Sequence, residues 1–71
     1  MTFQTGIVVL NVSHNSIIDI PKRTFPKLYE LHTIDFSYNN LSEIDKSVFT
    51  NLLSLRHLYF QHNNLSDLVS Q

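Results

Sequence analysis

Apolar residues recur along this chain at a fixed step. Ile7, Leu10, Val12, Ile17, Ile20, Phe25 and Leu28 are answered 24 positions later by Leu31, Ile34, Phe36, Leu41, Ile44, Phe49 and Leu52. Leu55, Leu58, Phe60, Leu65 and Leu68 continue the series. An asparagine keeps the same step at Asn15, Asn39 and Asn63. Counted from Ile7, Leu31 and Leu55 as place 1, the apolar residues hold places 1, 4, 6, 11, 14, 19 and 22, and the asparagine holds place 9. The frame gives a poorly matched lead-in (1–6), with Gly6 easing the chain into its first strand. Three rungs follow: rung 1 (7–30), rung 2 (31–54) and a partial rung 3 (55–71) of one uncapped unit.

Within each rung the spacing predicts two local structures. Places 3–7 combine β-branched residues with alternation of period two, which predicts short strands over 9–13, 33–37 and 57–61. Places 4 and 6 then point inward. Farther on, Phe25 with Leu28, and Phe49 with Leu52, stand three apart, which suits one helical or 3₁₀ turn on the outer arc of each rung, over 24–28 and within 46–52. Pro21 suits the start of that arc, and Pro26 keeps the turn short. No rung can bury its own apolar set, so neighbouring rungs must shelter one another. The expected fold is an α/β solenoid: a coil with a short parallel β-sheet on its concave side and loop, 3₁₀ or short helical turns on its convex side. Two complete rungs and a partial third are near the minimum for such a coil. The isolated chain is therefore expected to be marginal, and to self-associate through its open ends or sheet edge.

Composition narrows the partner class. With 42% hydrophobic and 15% charged residues the chain is globular. Five Lys and Arg stand against six Asp and Glu without any block of one sign, so no basic patch invites a nucleic acid or an anionic membrane. Zero cysteines remove disulfides and Cys-ligated zinc but leave the compartment open. The apolar run 7–10 is too short for a signal peptide or a membrane span.

Candidate chemistry divides between inward and outward places. Asn15, Asn39 and Asn63 follow each strand at a tight corner, where backbone groups are buried without a ladder. A carboxamide both donates and accepts, so these three are read as a structural ladder bridging rung to rung. Function is left to the outward places, which form columns down the sheet: Val8, His32, Arg56; Val9, Thr33, His57; Asn11, Asp35, Tyr59; Ser13, Ser37, Gln61; and His14, Tyr38, His62. Asp35, Tyr38, His57, Tyr59 and His62 are the candidate partner contacts, because tyrosine offers stiff contact area with a polar tip. A purely solvated face is the alternative. No metal site is expected: roughly 10 Å and Tyr38 separate His14 from His62, and nothing completes a set around His32 and His57. Asp19, Glu43 and Asp67 recur at place 13 as a solvated acidic edge. With one glycine, no nucleophile motif and no paired carboxylates in a pocket, neither a cofactor nor enzymatic activity is expected. Three N-x-S sequons begin at Asn11, Asn40 and Asn64 and are candidate glycosylation sites. A glycan at Asn11 would block the concave face, whereas Asn40 and Asn64 sit at the corner.

The pattern L-x-x-L-x-L-x-x-N-x-L-x-x-I-x-x-x-x-F-x-x-L resembles the extracellular class of leucine-rich repeats over nearly the whole chain from Ile7, with the Phe25/Phe49 place its most discriminating feature. That class includes innate-immune receptors, matrix proteoglycans and neuronal adhesion proteins. Within it, the run from Ile20 to Asp35 is similar to the chaoptin-like photoreceptor cell-adhesion proteins. The resemblance implies a protein partner, with like-with-like contact between cell surfaces, and a lipid-anchored parent glycoprotein on the extracellular side of the membrane. A ligand-binding segment of an innate-immune or signalling receptor, and a cytosolic scaffold, remain the alternatives.

Overall fold

The computed structural model describes residues 6–65 and the backbone of 67–69. Among the described residues, five three-residue strands and one 3₁₀ turn follow in the order β1 (Val9–Asn11), β2 (Thr33–Asp35), β3 (Glu43–Asp45), the 3₁₀ turn Lys46–Phe49, β4 (His57–Tyr59) and β5 (Asp67–Val69). Strands β1, β2 and β4 form one parallel sheet, with β2 in the middle. Its register keeps equivalent places opposite one another: Leu10 with Ile34, and Ile34 with Leu58.

Each strand is shorter than the five places read from the alternation. Pairing nonetheless runs past the strand ends. The Val12 and His14 N–H groups donate to Asp35 and Ser37 carbonyls at 2.9 and 3.1 Å, and Phe36 and Tyr38 repeat this toward Tyr59 and Gln61 at 2.8 and 2.9 Å. What ends the extended conformation is place 8. His14, Tyr38 and His62 all have positive φ, 57°, 58° and 58°, a left-handed kink that turns the chain into the corner. Gly6 also has positive φ, 85°, where only glycine is unstrained.

The core is centred on rung 2, the rung with a neighbour on each side. Leu31, Ile34 and Leu41 have no exposed surface, and Ile20, Phe25, Leu28, Phe36, Ile44, Val48 and Leu52 are buried with them. Ile7, Leu10, Val12 and Ile17 of rung 1, and Leu55, Leu58, Phe60 and Leu65 of rung 3, pack on this core while half-buried. Four phenylalanines knit the rungs: Phe36 and Phe60 stack with centroids 5.5 Å apart, and Phe25 meets Phe36 and Phe49 at 6.4 and 6.1 Å. Side chains of the last repeat beyond Leu65, Leu68 among them, and residues 1–5 of the lead-in fall outside the described residues.

Three features depart from the sequence reading. First, Glu43–Asp45 pairs in parallel with Asp67–Val69, forming a second, two-stranded sheet at the corner. Rung 1 has no counterpart strand, because Pro21 occupies the place of Asp45 and has no N–H for a ladder. Second, the expected helical turn over 24–28 is absent. Rung 1 turns earlier, where the Thr24 N–H and hydroxyl both donate to the Pro21 carbonyl at 3.1 and 2.7 Å. Rung 2 does form its 3₁₀ turn, because the Asp45 carboxylate caps it by accepting from the Ser47 N–H at 2.9 Å. Third, that turn buries Val48, at place 18, more deeply than Phe49. Thr24 holds place 18 in rung 1, so an apolar template drawn from both rungs passes over it.

Candidate functional site

The corner asparagines differ in surroundings. Asn39 is 5% exposed. Its Nδ2 donates to Phe36 and Ser37 carbonyls in its own rung and to Val12 in the rung before, and its Oδ1 accepts from the Ile17 N–H at 3.0 Å. Asn63 repeats the bridge, donating to Phe36 and Phe60 carbonyls and accepting from the Leu41 N–H. Asn15 is exposed and bonds only Val12 and Ser13 carbonyls within its own rung.

On the outward face, place 8 forms a three-ring stack. His14 lies on Tyr38, and Tyr38 on His62, with centroids 4.3 Å apart in both pairs and planes within 10° and 14°. Holding a non-glycine residue in the left-handed region costs roughly 1–2 kcal/mol. Each ring contact returns about 0.5–1.5 kcal/mol. The middle ring, with two contacts, thus offsets its own strain, and the column is held at its centre. His57 and Tyr59 extend the aromatic surface, nearly coplanar in orientation with centroids 6.4 Å apart. Tyr38 is 46% and Tyr59 43% exposed, and His57 and His62 are exposed beside them. Four of the five candidate contacts therefore lie on one surface around the fifth, the half-buried Asp35.

Asp35 belongs to a local motif that the column analysis did not single out. In Asp35-Phe36-Ser37 the carboxylate Oδ1 accepts from both the Ser37 hydroxyl, at 2.5 Å, and the Ser37 N–H, at 2.9 Å. Asn11-Val12-Ser13 makes the same pair of bonds at 2.6 and 3.0 Å. A polar residue two places before a serine was the available signal. The Ser37 hydroxyl, and then its N–H, hold the Asp35 carboxyl below the usual carboxylate range. The Ser47 N–H, with Lys22 nearby, does the same for Asp45.

A depressed folded-state pKa adds stability that is complete above the unfolded value and is lost as pH falls through the folded one. The stability of the chain is therefore expected to fall below about pH 4. Asp35→Asn keeps both Ser37 bonds without the charge. In urea melts it is expected to be less stable than the parent at pH 6, and the gap is expected to narrow as pH falls below about 4. A gap that stays the same size as pH is lowered through the carboxylate range would contradict this.

Asn40 and Asn64 are exposed at the corner. Their backbone N–H groups donate to Ile17 and Leu41 carbonyls at 2.9 and 3.0 Å, which fixes the backbone and leaves the side chains to solvent. Asn11 instead turns its Oδ1 onto Ser13 within the sheet face. His32 is engaged by Thr33, Nδ1 to Oγ1 2.7 Å, and lies apart from the stack. Among the described residues no group of three or more His, Cys, Asp or Glu is arranged to hold a metal. Nor is any helix among them long and apolar enough to cross a membrane.

The repeat frame, the parallel sheet in that frame and the corner asparagines define a class, and comparison with known families agrees. The leucine rich repeat family model matches residues 5–66, and the chain belongs to that family. No curated protein and no solved structure matches it. Leucine-rich repeats generally mediate protein–protein interaction and are typically non-enzymatic.

Proposed function

We propose that the chain is a protein-binding segment of an extracellular leucine-rich repeat solenoid, serving cell adhesion through the outward face of its parallel sheet. The carrying observation is the surface around Asp35, where Tyr38 and Tyr59 stay 46% and 43% exposed although the family frame uses neither for its core. Such aromatic, polar-tipped surface is what protein interfaces draw on. An extracellular position is supported by the sequon asparagines Asn40 and Asn64, both exposed at the corner, where an attached glycan would leave the sheet face open. The chaoptin-like run from Ile20 to Asp35 favours adhesion over ligand sensing. Self-association belongs to the same proposal and is supported by the half-buried apolar residues of rungs 1 and 3.

Expression through the secretory pathway of animal cells tests the placement. Glycan is expected on Asn40 and Asn64 and not on Asn11, read by mass spectrometry after deglycosylation in heavy-oxygen water. Three unmodified sequons would contradict it. Bead or cell aggregation by the displayed chain tests adhesion, and Tyr38→Ala with Tyr59→Ala is expected to abolish it. A soluble ligand captured without aggregation would favour the sensing receptor instead.

A further inference from the structure

Asp35 and Asp45 share one local design and differ in one respect. Each stands two residues before a serine, and each turns Oδ1 onto that serine's N–H at 2.9 Å. At Asp45 the other oxygen, Oδ2, is paired with the Lys22 ammonium of the neighbouring rung, at 3.3 Å. At Asp35 the corresponding oxygen has no ion pair among the described residues, and the one titratable cation acting on the carboxyl, the His14 ring, is taken up in the stack on Tyr38. Its column neighbours are Asn11 in the rung before and Tyr59 in the rung after, both directly in register. Tyr38 stands three residues on, at the kink, with its ring fixed between two histidines. A half-exposed carboxylate with one oxygen immobilised on Ser37, and exposed tyrosine rings nearby, is a receptor for a cation that also has a flat face. Guanidinium meets both demands, since it hydrogen-bonds carboxylates and stacks on aromatic rings, and it is more weakly hydrated than ammonium.

We infer that Asp35, Tyr59 and Tyr38 form a docking point for an arginine side chain of a protein partner. This rests on the protein-binding reading given above and adds the chemistry of the partner. The arginine sits over the middle of the sheet, with its guanidinium on Asp35 Oδ2 and a face against the Tyr59 ring. Lys22 on Asp45 is the chain's own carboxylate–cation contact between neighbouring rungs.

The test titrates the full chain, ¹⁵N-labelled, with acetyl-Gly-Arg-Gly-amide and with the same peptide carrying citrulline, which keeps the planar shape but loses the charge. Saturable shifts are expected at Asp35, Ser37 and Tyr59 with arginine, and at least tenfold weaker binding with citrulline. Asp35→Asn should fold, since Asn11 already makes the same two bonds one rung away, and should lose the arginine response. Asp45→Asn should retain it. Equal responses to both peptides, or shifts confined to Asp45 and Glu43, would overturn the inference. Should the peptide fail while the displayed chain still aggregates beads, the arginine site falls and the adhesion reading stands. Should the peptide bind while the beads stay dispersed, the reverse holds.

Discussion

Ile34→Ala is expected to cost about 2–5 kcal/mol of unfolding free energy. A chain of this size has roughly 4–10 kcal/mol in total, so the substitution removes between about a fifth of its stability and all of it. Ile34 has no exposed surface and lies in register with both Leu10 and Leu58. The cavity opens at the centre of the only rung flanked on both sides among the described residues, where the backbone has least room to relax. Leu10→Ala and Leu58→Ala remove side chains that are only half-buried and should cost about half as much by area bookkeeping. Urea denaturation followed by circular dichroism gives the ordering. Equal losses at the three positions would mean that rung 2 is not the core.

Asn39→Leu is the second large effect, about 1–3 kcal/mol. Nothing in the size of the side chain accounts for it. The loss comes from the Ile17 N–H and the Val12 and Phe36 carbonyls, which Asn39 serves and leucine cannot. Asn63 also donates to the Phe36 carbonyl and Asn15 to the Val12 carbonyl, so each acceptor keeps one partner and the Ile17 N–H is the group left bare. Asn15→Leu is the internal control. Asn15 is exposed and bonds only its own rung, so water replaces what is lost, and the cost should stay below about 1 kcal/mol. Identical denaturation midpoints for the two variants would show that bridging between rungs is not what place 9 supplies.

The sheet was legible in the sequence because inward places recur without interruption and each demands a neighbour at the same step. The corner strands were not. Glu43-Ile44-Asp45 looks like polar surface around one apolar residue, and its pairing partner becomes visible only when rung 3 is stacked in register. Pro21 hid the pattern further by removing it from rung 1. Val48 was missed because Thr24 stands at its place, so a template built on agreement between rungs discards it. The column His14, Tyr38, His62 could be written from the spacing alone. Its ring stacking could not, because that depends on a positive φ which nothing in histidine or tyrosine announces. Asp35 was picked out for its position, whereas its fixed Oδ1 follows from the serine two residues on.

The claim beneath all of this is that residues 24 apart lie against one another. Nuclear Overhauser contacts from the Ile34 methyl groups, in a sample labelled only at isoleucine and leucine methyls, test it most directly. Contacts to both Leu10 and Leu58 are the predicted result. Contacts only to residues three or four away along the chain, as in a helix, would contradict it.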